Sequence, residues 1–371
     1  MPADPARDGY LKLIEARTDI DGRFIDLRRV GTAGGDGNFS LVFIAMDTTS
    51  NREVAVKVFR PDRLVDPYRF QCFCREASLH ERLNGVRDVL GWVAGRAEFT
   101  EQIQSAGGIP LALLNFPYFV LELAATDVGT VIRNDLWGPE DKLIAFRQMC
   151  RGVQRIHRAG ITHRDIKPSN FLVTAAGDVK LSDFGTARDL DGGAGPVIAN
   201  YAGAPGDTRY TAPEMLALLH DDEPSIALHG DIYSLGATLF ELWSGTTLGV
   251  QIFNSSFATA LAQSMNAVHK SDRKRVFLQF VQNIAAGHPL PKISDYGNNV
   301  PGSILSLVDN LYKSMAALDY RVRLLDFERI FLRIDQCILV LGNEEKVRRW
   351  RTRKEVARRN RDDNRRKLGL A

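Results

Sequence analysis

Cysteine is scarce in this sequence: four residues in 371, at Cys72, Cys74, Cys150 and Cys337. So few thiols, so widely scattered, exclude a disulfide framework. Cys72 and Cys74 are separated by one residue, a poor spacing for a zinc finger, so the four read as reduced, partly buried thiols. Long apolar runs are missing too. No stretch approaches the roughly 18 consecutive apolar residues of a membrane span, and no basic segment followed by an apolar core marks a secretory signal. These absences lead us to expect a cytoplasmic protein without a membrane span. There is no internal repeat, and the formal net charge of +3 by itself points to no class of partner. What remains is ordinary for a soluble globular chain: 44% hydrophobic and 25% charged residues, enough for a substantial core.

The order of patterns along the chain is more informative. Phe24 to Val30 alternates as a strand does, and is followed by GTAGGDGNFS, LVFIAMD and EVAVKVF. The natural reading is a strand, a glycine-rich turn and two more strands. Tyr68 to Leu83 has apolar residues at three- and four-residue steps (Phe70, Phe73, Ala77, Leu83), and an Asn-Gly pair closes this helix. PYFVLELA reads as a buried strand entering a connection. From about Pro139, LIAFRQMCRGVQRIHRAG forms a long amphipathic helix. Short strands around FLVT and DVKLSDF follow, then a Gly/Ala/Pro-rich loop from Gly192 to Gly206, and after that mostly helix. The order is therefore a small strand-rich lobe, then a larger helical one.

The most specific chemical signal is HRDIKPSN, with DFG beginning thirteen residues after its last residue and APE further on. Moving a phosphoryl group needs little covalent help. It needs positioned phosphates, metal ions that absorb charge, and a carboxylate that orients the attacking hydroxyl. Hard Mg²⁺ ions ask for separate oxygen ligands. Asp165, Asn170 and Asp183 supply such a set, each on a loop beside a short strand. Here the chain resembles the eukaryotic-type protein kinases, serine/threonine-kinase-like. His163, Arg164, Asp165, Lys167 and Asn170 match their catalytic loop, Asp183-Phe184-Gly185 their DFG, and Ala212-Pro213-Glu214 the end of their activation segment. The resemblance covers roughly residues 24 to 335, with the motifs in the family's order.

The resemblance implies an α+β, two-lobed kinase fold. We expect an N-terminal extension (1–23), a β-rich N-lobe (24–123), a helical C-lobe (124–340) with an insertion around 245–302, and a basic tail (341–371). It implies transfer of the γ-phosphoryl group of ATP, with Mg²⁺, to Ser or Thr of protein substrates. Asp165 takes the role of base, and Lys167 steadies the transferring phosphate. Asn170 and Asp183 become the Mg²⁺ ligands. Lys57 in VAVK grips the α- and β-phosphates and Glu76 is its ion-pair partner. Around adenine the resemblance places Leu121 as gatekeeper, Glu122 and Ala124 as backbone partners, and Val42, Ala55 and Leu172 above and below the base. Asp127 is placed to reach the ribose, although as a residue it reads equally as an exposed loop aspartate. Asp231 is implied to brace the catalytic loop and Arg323 to pair with Glu214. Lys167 favours Ser/Thr over Tyr, because tyrosine kinases typically have no lysine there.

The chain also departs from the family pattern. In the glycine loop Gly35, Gly37 and Phe39 fit, but Ser40 replaces the third glycine; backbone amides can still cradle phosphates there. His80 stands where the family has an apolar spine residue. Gly206-Asp207 replaces the usual Gly-Thr ahead of APE, and Thr208 beside it is expected to engage the catalytic loop. The position of the usual activation-loop phosphoresidue is Gly203, flanked by Ala202 and Ala204, with Tyr201 and Thr208 the nearest hydroxyls. Ordering of the loop is therefore expected from Asp207 paired with Arg164 or Arg209, or from a partner protein. From Glu344 to Ala371 there are 12 Lys/Arg against 5 Asp/Glu, about +7, leaving about −4 elsewhere. That tail reads as a solvated helix or as a basic arm for an acidic partner, nucleic acid or an anionic surface. Two other functions stand beside the protein kinase: a pseudokinase serving as an ATP-binding module, argued against by the presence of Lys57, Asp165 and Asp183, and a small-molecule kinase, argued against by APE.

Overall fold

In the computed structural model, the alternation of the first hundred residues builds one antiparallel sheet. The structure describes residues 12–30, 40–60, 66–104, 110–190, 205–252, 261, 263–265, 267–287, 289–297 and 300–367. Strands β1 (Asp19–Ile20), β2 (Phe24–Arg29), β3 (Ser40–Asp47), β4 (Arg52–Phe59), β5 (Trp92–Gln104) and β6 (Pro110–Glu122) lie in the order β1-β2-β3-β4-β6-β5. Side chains of a strand alternate between faces. Leu41, Phe43, Ala45, Val54, Val56 and Val58 accordingly point into a buried cluster on one face, together with Ile14 and Ile20 from ahead of β2. The half-buried alternates Val42, Ile44, Ala55 and Lys57 occupy the other face. The register sets Val42 opposite Lys57 and Ala55 opposite Leu121.

The long β5–β6 hairpin exceeds the single strand expected around PYFVLELA. Three register shifts, at Trp92/Ala94, Gly95/Ala97 and Ile103/Gln104, break the period of two that would have revealed β5. Gly95 sits at φ +135°, and a Cβ there would lie 2.3 Å from the Cα of Phe119, so only glycine permits the pairing.

Helix α1 (Pro67–Arg82) starts where the Asp66 carboxylate accepts from the Arg69 N–H, with Pro67 in its first turn. It buries Cys72, Phe73, Glu76, Ala77, Leu79 and His80, one face of a 3.6-residue repeat. Aromatic contacts fasten that face to the sheet: Phe59 to Phe73 at 5.3 Å and Phe73 to Phe119 at 4.9 Å between ring centroids. This packing carries Glu76 to the end of Lys57.

The rest is helical. It comprises α2 (Val128–Arg133), α3 (Pro139–Arg158), α4 (Pro213–Leu216), α5 (Leu219–Asp222), α6 (Ile226–Ser244), α7 (Leu248–Ile252), α8 (Lys270–Gly287), α9 (Leu305–Met315) and α10 (Phe327–Lys367). Short strands β7 (Thr126–Asp127), β9 (Phe171–Val173) and β10 (Val179–Leu181) make a second sheet, and β8 (Ile161–Thr162) pairs with β11 (Arg188–Asp189). Helix α6 is apolar nearly all round and forms the centre of this lobe, with Trp243, Tyr233 and Phe240 fully buried. Each such side chain contributes about 2–3 kcal/mol by leaving water. Helix α10 runs without a break past residue 341, where a separate tail was expected to begin. The stretch 245–302 holds α7, α8 and a 3₁₀ turn, Ile293–Tyr296.

Candidate active site

The side chains with chemistry meet where the sheet faces the helical lobe. Lys57 leaves the open face of β4, and its ammonium donates to both oxygens of Glu76, at 2.6 and 2.7 Å. The Asp183 carboxylate lies 3.6 Å from the same nitrogen. Burial alone would lower the Lys57 pKa, but Glu76 and Asp183 overcome it and raise it, so the amine stays charged. Asp183 sits in the left-handed region at φ 64°, a strained conformation for a non-glycine residue, which turns its carboxylate toward the cleft. Its side chain is 39% exposed. Burial would raise this carboxyl, yet Lys57 and Lys167 hold it below its ordinary range.

Across the cleft, Asp165 is fixed by a web of donors. Its Oδ2 accepts from Lys167 Nζ at 2.8 Å and from Asn170 Nδ2 at 3.1 Å, and its Oδ1 accepts from the Asp207 N–H at 2.8 Å. Asn170 Nδ2 also donates to the Asp165 carbonyl at 2.7 Å. With the amide nitrogen thus engaged, the amide oxygen keeps its lone pairs for a hydrogen-bond donor or a cation. Lys167 resembles Lys57 in its electrostatics: burial lowers its pKa, and Asp165 more than restores it.

The loop carrying these residues hangs from Asp231, which is buried in α6. Its two oxygens accept from the backbone N–H groups of His163 and Arg164, both at 2.8 Å. His157 Nε2 reaches the same carboxylate at 2.9 Å. Nothing in the sequence singled out His157; it lies near the end of α3, and only the packing of α3 on α6 brings it there.

The flat part of the cleft is apolar. Leu121, Ala124 and Leu172 border the cluster of Phe59, Phe73, Ala77, Leu90 and Phe119. Val42 and Ala55 face it from the sheet. β6 ends at Glu122, and the Ala125 N–H donates to the Val173 carbonyl at 2.8 Å, tying the connection to β9. Asp127 caps α2, accepting from the Thr130 N–H at 2.9 Å and the Thr130 hydroxyl at 2.6 Å. A carboxylate offers about four acceptor sites, so capacity remains for a further donor. Gly35, Gly37 and Phe39 lie outside the described residues.

Asp183 and Asn170 offer oxygen atoms of the kind Mg²⁺ prefers. Among the described residues no group of three or more His, Cys, Asp or Glu is gathered around a point. That suits an ion bound by one or two protein groups and completed by phosphates rather than an all-protein cage.

Comparison with known proteins agrees with this geometry. Residues 29–315 match the protein kinase domain model. The chain belongs to the protein kinase family. Among its relatives are a probable serine/threonine-protein kinase of Corynebacterium efficiens, 32% identical over 222 residues, and the serine/threonine-protein kinase PknB of Mycobacterium leprae, also 32% identical over 222 residues. PknB of Mycobacterium tuberculosis is 31% identical over 225 residues. These alignments cover 59% of this chain and 31–33% of the relatives, so the chain matches about a third of their length.

Three expectations about the kinase's activation segment resolve differently from one another. Asp207 pairs with Arg209, Nη2 to Oδ2 at 2.6 Å. Arg164 instead gives its Nε–H to the Thr186 carbonyl at 2.7 Å. Thr208 is exposed and does not engage the catalytic loop; the backbone N–H of Asp207 does so. Gly206 makes that approach possible: at φ +88°, with a Cβ position only 2.4 Å from the Arg164 carbonyl, it admits no side chain. Gly203 and its neighbours, including Tyr201, lie outside the described residues.

Glu214 and Arg323 are paired and wholly buried. His80 is also buried. It stacks edge-on against Phe184 at 4.9 Å, while His163 contacts the same ring at 5.2 Å. Its Nδ1 meets the Leu90 carbonyl at 3.2 Å, and its Nε2 is buried without a partner. Burial lowers its pKa to about 3, so the ring is neutral and Nδ1 carries the proton. Arg75, one residue before Glu76, was not anticipated. Its guanidinium donates to the Gly185 carbonyl at 2.9 Å and couples α1 to the DFG segment.

Proposed function

We propose that this kinase transfers the γ-phosphoryl group of ATP to Ser or Thr hydroxyls of protein substrates. The observation that carries the reading is Lys57, whose single ammonium is held by Glu76 at 2.6 Å with Asp183 3.6 Å away. This is a phosphate grip assembled next to a metal-ligand candidate. In this reading Lys57 binds the α- and β-phosphates, and adenine lies between Val42 and Ala55 above and Leu172 below. The backbone of Glu122 and Ala124 pairs with its edge, Asp127 with the ribose, and the loop of Gly35 and Gly37 with the phosphates. Asn170 and Asp183 hold Mg²⁺, which neutralises charge on the phosphates when bound.

Asp165 accepts the proton of the substrate hydroxyl as that oxygen bonds to the γ-phosphorus. The bond from phosphorus to the bridging oxygen breaks, and ADP leaves with that electron pair. Lys167, already 2.8 Å from Asp165, stands beside the phosphoryl group in transit. Its presence, and the serine/threonine-protein kinases among the relatives, favour Ser/Thr acceptors. The family has protein substrates, and among the described residues no helix is long and apolar enough to cross a membrane. A cytoplasmic setting is supported by four free cysteines, three of them buried.

The test is incubation of the purified chain with Mg²⁺-ATP and a generic protein substrate, followed by mass spectrometric mapping. Phosphoserine or phosphothreonine on the substrate is expected. ATP bound without turnover would make the chain a binding module, and phosphotyrosine alone would overturn the acceptor assignment.

A further inference from the structure

Helix α10 is 41 residues long, about 60 Å at 1.5 Å per residue. Its first part belongs to the large lobe: Ile330, Phe331, Ile334 and Cys337 are buried there, and Arg147 pairs with Asp335 at 2.8 Å. Beyond Gly342 every position whose burial is described is exposed, namely Asn343, Glu344, Lys346 and Thr352 to Val356. From residue 345 the helix continues to Lys367, about 34 Å more.

The 12 Lys/Arg of this end comprise nine arginines and three lysines, against 5 Asp/Glu. At 100° per residue they fall at every azimuth of the helix. The apolar positions Val347, Trp350 and Ala357 fall on one side, but Lys354 and Arg361 interrupt them. An interfacial membrane helix needs a broad apolar face, which this segment lacks. A second copy would bring about +7 against +7. An acidic protein surface would meet only one side of the helix, whereas the basic residues surround it. A groove walled on both sides by phosphates meets basic residues on two sides of the helix at once. The major groove of B-form DNA, about 12 Å wide, admits an α-helix, whereas that of A-form RNA is too narrow. The preponderance of arginine fits as well, since its planar fork pairs with phosphate through two hydrogen bonds.

We propose that the C-terminal half of α10 binds double-stranded DNA through its phosphate backbone, without base recognition. The proposal stands independently of the phosphotransfer reading. A straight helix follows the curving groove for only a few base pairs, so about half of the basic positions, roughly six, contact phosphates at once. Each contact contributes a salt slope of about −0.9, giving about −5 in all and a loss of about 1000-fold in affinity between 50 and 200 mM salt.

The experiment measures anisotropy of a fluorescent 20-base-pair duplex titrated with the full chain at both salt concentrations. The comparison protein carries Arg358→Gln, Arg359→Gln, Arg361→Gln and Arg365→Gln, replacements that preserve helix propensity. The expected result is binding with the stated slope, about 100-fold weaker in the quadruple variant, whose helicity by circular dichroism and peptide phosphorylation stay at wild-type levels. A second variant lacking residues 345–371 should lose duplex binding and keep its melting temperature. Undiminished binding by the quadruple variant would overturn the proposal. So would equally tight binding of polyglutamate, of A-form RNA or of phosphatidylserine vesicles, or a parallel fall of melting temperature and peptide phosphorylation on truncation.

Discussion

Two ion pairs in this kinase are built from similar parts and differ in how fully they are satisfied. Under the activation segment, all five N–H donors of Arg323 are engaged. Two go to Glu214, one to the His229 carbonyl at 2.7 Å, and two to the Ala317 carbonyl at 3.0 and 2.8 Å. Both side chains are 0% exposed. In the cleft, Lys57 has two short bonds to one carboxylate, a second carboxylate at 3.6 Å, and 16% of its side chain open. A saturated buried pair has nothing left to offer a ligand and acts as a joint. An unsaturated one at a cleft retains a donor for a substrate. Burial alone does not distinguish a working charge from a structural one; the count of unfilled donors does.

The largest effect should come from the unsaturated side. Asp183→Ala and Asp165→Asn are each expected to lower kcat/KM about 1000-fold or more, roughly 4 kcal/mol in the barrier, with urea unfolding unchanged. Near wild-type phosphate incorporation in both would show that the reacting groups lie elsewhere.

On the saturated side, Arg323→Met strands the Glu214 carboxylate in the core, and unfolding should cost 3–5 kcal/mol less by urea titration. Lys57→Met also leaves a buried carboxyl, Glu76 being 3% exposed, but burial pushes its pKa up to about 7, so it takes a proton once Lys57 is gone. The loss in unfolding should be smaller than in Arg323→Met, about 1–2 kcal/mol, while peptide phosphorylation falls about 100-fold. Equal losses of stability in the two variants would break the distinction between joint and working pair.

His80 tests the same idea with a single unfilled atom. Its pKa is depressed to about 3 from the ordinary 6.5. The unfolded chain therefore binds the proton that the native ring refuses, and stability is full above pH 6.5 and declines as pH falls toward 3. Replacement by Leu should remove this slope. At pH 5 the loss relative to pH 7.5 should be about 2 kcal/mol smaller in His80→Leu than in the wild type. Parallel stability curves for the two proteins would show that His80 becomes charged without penalty.

The smallest effect belongs to Arg209, whose side chain is 57% exposed. Asp207 reaches Asp165 through its backbone, so Arg209→Gln should shift unfolding by less than about 1 kcal/mol and peptide kcat by less than about threefold. A loss as large as that of Asp165→Asn would mean that the Asp207–Arg209 pair acts on the substrate directly.

The linear sequence carried much of the fold. Strands β2 to β4, helices α1 and α3, and the order of the two lobes follow from periods of 2 and 3.6 written into neighbouring residues, and those periods are local. Strand β5 escaped because its bulges shift the alternation, and a bulge is settled by the partner strand. The residue types of the site were also legible, since HRD, DFG and APE are contiguous. Their partners were not. That Asp207 reaches Asp165 by its backbone, that His157 joins Asp231 and that Arg75 holds the Gly185 carbonyl depend on contacts between residues 42 to 110 positions apart, and the same packing leaves Thr208 pointing to solvent. Here sequence by itself determined which groups the chain owns and which local elements carry them. Tertiary structure alone decided which donors each charge would fill, because hydrogen-bond saturation is a property of the packed neighbourhood and has no signature along the chain.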